Sequence, residues 1–268
     1  MIPASVDYVR VTSLEEALDA LATPDAKAIA GGQSLLPAMK LRIARPATLV
    51  DIGDLGLSGM DVRDDELAIG ALTTWDELSR SVAVQRPAVA ALSECASGIG
   101  DLQVRNRGTI GGSLAHADPA SDMPAVVLAL GGRLTVRSVG GQRELQARDL
   151  FDGPFTTTLE EGELITEIVV PIAPEGSGSG YVAVEHPASG FAIAGAAAVV
   201  RPDGSRSVAV TGIAGAPFLV DGDPEAAIAD ADVFGDAFAP ADYRRQLARA
   251  CVRRAVERAE LRAKEGAR

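Results

Sequence analysis

Two short runs of this chain place paired glycines between apolar residues and side chains that can donate hydrogen bonds. The first, AIAGGQSLL, covers residues 28–36, and the second, TIGGSLAHADPASD, covers residues 109–122. A glycine pair that ends a strand and enters a helix exposes main-chain N–H groups at the positive end of a helix dipole. Such a place holds anions, typically phosphate. Glycine suits it because no Cβ keeps ligand oxygens from the backbone. Gln33 and Ser34 add neutral donors to the first run, and Thr109 and Ser113 to the second, around Gly111 and Gly112. No Lys-Ser/Thr follows either pair, so neither is a P-loop, and G-x-G-x-x-G is absent. The first run alone reads equally well as a tight turn, and the second is more specific. Together they suggest one ligand held from two sides.

The second run also carries one of the two histidines and two aspartates. His116 has the chemistry of a general base, yet no neighbouring Ser or Cys completes a triad with it. Asp118 precedes a proline and reads as a turn residue. Asp122 reads either as the N-cap of a helix with Pro124 in its first turn or as an acceptor for ligand hydroxyls. The pattern is that of a site that binds a phosphate-bearing cofactor and leaves the chemistry to it.

Composition narrows the field. The chain has 268 residues, 47% of them hydrophobic, enough for packed cores in one large domain or a few small ones. The net charge is −12 and no basic block precedes the last helix, which disfavours nucleic acid as a partner. The longest apolar run, near Ala192–Val200, is too short to span a membrane. No signal-peptide pattern opens the sequence, so the expected location is cytoplasmic. Cys95 and Cys251 are the only cysteines. They cannot hold a four-cysteine iron–sulfur cluster, and a disulfide between them is not expected in a reducing compartment. With only His116 and His186, no zinc site is indicated.

The elements that must position the glycine runs follow from periodicity. Ser13-Leu-Glu-Glu16 and Thr74-Trp-Asp-Glu77 are capping boxes. The first opens a helix with apolar residues at 14, 17, 18 and 21. Residues 26–30 and 48–52 read as strands around a short helix at 34–41, a small βαβ unit. Residues 67–71, 133–139 and 164–170 read as further strands, with a helix over 87–95 and another opened by Ser121 or Asp122. PEGSGSG (174–180) reads as a linker. Beyond it lie strands at 181–185, 191–200 and 207–213, a turn at Pro202-Asp-Gly204, and a helix over 242–264. Boundaries fall near 55 and 174, giving segments 1–55, 56–174 and 175–268.

AGGQSLLPAMKLR (30–42) together with QVRNRGTIGGSLAHADPASDMPAVVLAL (103–130) resembles the FAD-binding medium subunit of the carbon monoxide dehydrogenase/xanthine dehydrogenase family of molybdenum hydroxylases. The likeness covers nearly the whole chain. It implies an α+β fold: an FAD-binding part of two subdomains (PCMH-type), then a C-terminal domain with a three-stranded antiparallel sheet and helices. It implies that Ala30, Gly31, Gly32, Gln33, Ser34 and Leu35 hold the FAD pyrophosphate from one side, and Thr109, Ile110, Gly111, Gly112 and Ser113 from the other. Ile99 and Gly100 would lie near the flavin, Asp122 would hydrogen-bond the cofactor and Leu164 would line its pocket. No residue of this chain is expected to be catalytic or to bind a metal.

Three departures from the family pattern stand out. Ser113 replaces the usual Asn, Val182 and Ala183 follow Tyr181 where some members carry Lys, and the stretch between Asp223 and Asp242 is short. The family role is electron transfer: a large subunit with a molybdenum cofactor oxidises substrate, a small subunit with two [2Fe–2S] clusters passes electrons to FAD, and the flavin reduces an external acceptor. A dimer of heterotrimers is the implied assembly. A stand-alone FAD-dependent oxidoreductase and a nucleotide-binding assembly protein are the competing expectations.

Overall fold

The computed structural model describes residues 2–266, so the outermost residues of the first and last expected segments lie outside it. Three sheets follow one another along the chain. The first is parallel, in the order β1-β3-β2, from β1 (Asp7–Arg10), β2 (Ala26–Ile29) and β3 (Thr48–Asp51). Helix α1 (Leu14–Leu21) and helix α2 (Leu35–Lys40) connect these strands. The expected βαβ unit is present and gains β1 as a second edge strand. At the first capping box Ser13 accepts the Glu16 N–H, but Glu16 reaches past Ser13 to the N–H of Thr12.

The second sheet is antiparallel. Its first two strands are β4 (Met60–Arg63) and β5 (Glu66–Gly70). Four helices intervene: α3 (Trp75–Arg80), α4 (Ala91–Gly98), α5 (Leu102–Arg105) and α6 (Ile110–His116). Helix α7 (Met123–Ala129) then leads into β6 (Arg133–Ser138) and β7 (Gly141–Gln146). A small hairpin of β8 (Phe151–Gly153) and β9 (Thr156–Thr157) precedes β10 (Leu164–Pro171), which sits at the centre of the order β4-β5-β10-β6-β7. The helix expected over 87–95 begins only at Ala91. Ser179, far along the chain, takes over the carbonyl of Pro87 and accepts the N–H of Ala91 with its hydroxyl.

The third sheet, β11-β12-β13-β14, is antiparallel and formed by β11 (Gly178–Glu185), β12 (Ala192–Val200), β13 (Arg206–Thr211) and the two-residue β14 (Phe218–Leu219). Helix α8 (Pro224–Asp230) occupies the shortened stretch, and α9 (Ala241–Gly266) lies across β11 and β12. The PEGSGSG run is not a linker beyond Ser177: Gly178, Ser179 and Gly180 are buried strand residues. Glycine is needed there because a Cβ at Gly178 would stand 2.1 Å from the carbonyl oxygen of Ala259. The strand therefore lies directly against the α9 backbone.

Each sheet has its own apolar cluster. The first includes Val11, Leu18, Val50 and Ile52 and draws in Leu72 and Leu164 from the next segment. The second and largest joins Leu67, Ile69, Leu92, Ile110, Leu114 and Ile168. The third packs β12 and β13 on α9 through Ala194, Val210, Cys251 and Ala255. No helix among the described residues is long and apolar enough to cross a membrane.

Candidate cofactor-binding site

A cleft of about 880 Å³ runs between the first and second sheets and reaches the edge of the third. That volume lies at the upper end for small-molecule sites. Ala30 to Leu35, Ile99, Gly100, Thr109, Gly111, Gly112, Ser113, Asp122 and Leu164 all line it. Ile110 does not. Its side chain is fully buried in the second core, because the first helical turn of α6 points that residue inward beneath the cleft floor.

The two glycine runs divide the labour differently from the sequence expectation. Among the described residues, the N–H groups of residues 31–34 have no protein acceptor. These four consecutive donors belong to residues that line the cleft, where an anionic ligand can accept from them. The second run is different, since it forms a helical turn rather than a loop. Thr109 is the N-cap of α6. Ile110 N–H goes to the Thr73 carbonyl (3.1 Å), Gly111 N–H to Ala71 (2.8 Å), Ser113 N–H to Thr109 (3.1 Å), and Gly112 N–H to the Thr109 hydroxyl (3.2 Å). These donors are already committed to the fold. The second run supplies shape: a Cβ at Gly111 would stand 2.6 Å from that of Ala71.

Gly31 also has a role the sequence does not announce. A Cβ there would stand 1.9 Å from the carbonyl oxygen of Arg107. Its missing side chain lets the first run lie against the residues that lead into the second. Gly32 is in the left-handed region at φ +73°, which glycine adopts without strain. At the far end, Gly100 (φ +53°) turns the chain into α5, and Arg105 donates to the carbonyls of Ile99 (3.1 Å) and Gly100 (2.7 Å).

Asp122 occupies the N-cap position of α7 but does not cap it. Its carboxylate instead accepts a hydrogen bond from the Tyr181 hydroxyl. Burial pushes its pKa up to about 6, against the opposing pull of that bond. Asp118 is a turn residue, accepting the Ala120 N–H (2.9 Å). The Ser113 hydroxyl pairs with that of Ser121 (2.7 Å). His116 lines the cleft against the Phe155 ring, 5.3 Å away, and burial lowers its pKa. Sequence reasoning missed Lys27, Arg45, Phe155, Phe191 and the Glu160–Glu163 turn, all of which line the cleft. None of them sits in a motif. The two cysteines are buried free thiols. No metal-binding group of three or more His, Cys, Asp or Glu occurs among the described residues.

Unpaired main-chain donors, facing small residues and two basic side chains, Lys27 and Arg45, in the cleft wall suit an extended, phosphate-containing cofactor. The architecture is thus that of a nucleotide-cofactor protein, and the residues present fit FAD. Residues 4–173 match the FAD binding domain in molybdopterin dehydrogenase, and the chain belongs to that family. It is 44% identical over 206 residues to the alpha subunit of the 6-hydroxypseudooxynicotine dehydrogenase complex of Paenarthrobacter nicotinovorans, covering 76% of this chain and 69% of that one. It is 37% identical to the carbon monoxide dehydrogenase medium chain of Afipia carboxidovorans, over 98% of this chain and all of that one. The solved carbon monoxide dehydrogenase of Hydrogenophaga pseudoflava superposes with a TM-score of 0.92 at 36% identity, over 98% of this chain and 99% of that one. The chain is the flavoprotein subunit of an oxidoreductase.

Proposed function

We propose that this chain is the electron-transfer subunit of a heteromeric molybdenum hydroxylase. It takes electrons from [2Fe–2S] clusters on a small partner subunit and passes them through FAD to an external acceptor. The row of unpaired N–H groups at residues 31–34 carries the reading, because it leaves a pyrophosphate-sized demand in a family of FAD domains. In this arrangement those N–H groups take the pyrophosphate. Thr109, Gly111, Gly112 and Ser113 form the opposite wall, Ile99 and Gly100 face the flavin, Asp122 accepts from the cofactor and Leu164 lines its pocket. FAD supplies the redox chemistry, and this chain binds, orients and shields it. Two cysteines cannot hold [2Fe–2S] clusters, so clusters and molybdenum cofactor belong to a small and a large partner, assembled as a dimer of heterotrimers. The test is purification of the tagged chain from its host with its partners. Two further subunits carrying iron, sulfide and molybdenum, with about one FAD per chain, are expected. A chain that stays alone and turns over a donor and an acceptor unaided would overturn the reading.

A further inference from the structure

Asp122 lines two cavities. One is the cofactor cleft; the other is a cavity of about 220 Å³ walled by Glu94, Cys95, Tyr181, Glu185 and Arg258, with Gly98 at its rim. At about 30 Å³ per molecule, the second cavity has room for several waters. Its outer residues, Glu185, Gly98 and Arg258, are exposed, whereas Cys95 and Tyr181 are buried. The cavity thus leads from solvent to Asp122, which the cleft shares. Tyr181 is held on three sides: its N–H goes to Glu94 (2.9 Å), its carbonyl accepts from Arg258 (3.1 Å), and Gly195 leaves space for the ring. A Cβ at Gly195 would stand 2.5 Å from the Tyr181 hydroxyl.

We propose that Asp122 is the proton-exchanging group of the cofactor cleft, supplied from solvent through this second cavity and held in position by Tyr181. This rests on FAD occupying the cleft as proposed above. As electrons arrive from the partner's clusters, the Asp122 carboxylate takes up a proton delivered through the cavity water and keeps it, offsetting the negative charge that the cleft gains. An O–H bond of a solvent hydronium breaks and the Asp122 O–H bond forms, so one proton passes from solvent to the cleft wall, with no electron passing through Asp122. The groups around it are Tyr181 and Glu185 from β11, Glu94 and Cys95 from α4, Asp118 from its own turn, and Arg258 from α9, while His116 shares the cleft wall. Glu94 is tied to Arg258 and Arg262, which leaves Glu185 as the exposed carboxylate at the mouth. Burial and the Glu185 charge raise the Asp122 pKa, and the Tyr181 bond lowers it.

The test is the midpoint potential of FAD bound to the full chain, followed against pH by spectroelectrochemistry. The wild-type line is expected to bend near pH 6. Glu185→Gln should move the bend down, Tyr181→Phe should move it up, and Asp122→Asn should remove it. Glu185 is exposed, so its variant keeps the test open should Tyr181→Phe fail to fold. A straight line, or a bend that none of the variants moves while FAD stays bound at one per chain, overturns this inference alone. A folded chain that takes up no FAD overturns the reading of the cleft as well.

Discussion

Asp122 is a carboxyl group that burial holds above its ordinary pKa. Its raised pKa means that the folded chain binds more protons than the unfolded chain between about pH 4 and 6. Stability from this group therefore falls as pH rises through that window, by roughly 2–3 kcal/mol. In the FAD-free chain, Asp122→Asn should remove that fall. Urea midpoints at pH 4.5 and 7 for both proteins measure the difference, and equal pH dependence would contradict the account. The glycines make a second contrast. Gly31→Ala drives a Cβ into the Arg107 carbonyl, at a strain cost of about 1–3 kcal/mol. It should weaken FAD retention by about tenfold or more. Gly112→Ala meets only the Thr109 hydroxyl and should cost about 0.5–2 kcal/mol of cap stability, with a smaller loss of FAD. Titration of both apo variants with FAD would show the order, and a reversed order would place the pyrophosphate on the second run. The glycine pairs were legible in the sequence, but the division between them was not. The carbonyls of Ala71 and Thr73 that occupy the second run's donors lie almost forty residues upstream.

At the scale of elements, local chemistry was readable where an element supplies its own ends. Thr74 and Glu77 close a complete capping box on α3, and Asp203 and Gly204 make the β12–β13 turn. It failed where an end is completed from elsewhere. Helix α4 has no cap of its own, and its first N–H is taken by Ser179 of β11. The same Gly/Ser run that reads as flexible becomes strand because α9 packs on it. Gly178→Ala should push α9 from β11 and cost about 1–3 kcal/mol, lowering the melting temperature by several degrees. An unchanged melting temperature would show that the contact is looser than described.

Across the whole molecule, the third sheet clasps the turn that carries Asp122. Thr211 donates to the carbonyls of Pro119 and Ser121, the Gly212 N–H goes to Pro119 and the Ala192 N–H to Ala120. The matched family domain ends at residue 173, yet these contacts make the remaining chain part of the cleft. The succession of strands and helices was readable from periodicity and turn residues. Their docking was not, because it joins residues far apart in sequence, such as Glu94 with Arg258 and Thr211 with the carbonyl of Pro119. In the complex proposed above, electrons enter this FAD from a partner's [2Fe–2S] clusters. The most direct measurement is rapid mixing of the oxidised FAD-loaded chain with the chemically reduced cluster subunit, watching the flavin absorbance. Flavin bleaching in step with reoxidation of the clusters is expected; a flavin that stays oxidised while the docked clusters keep their electrons would overturn this direction of transfer.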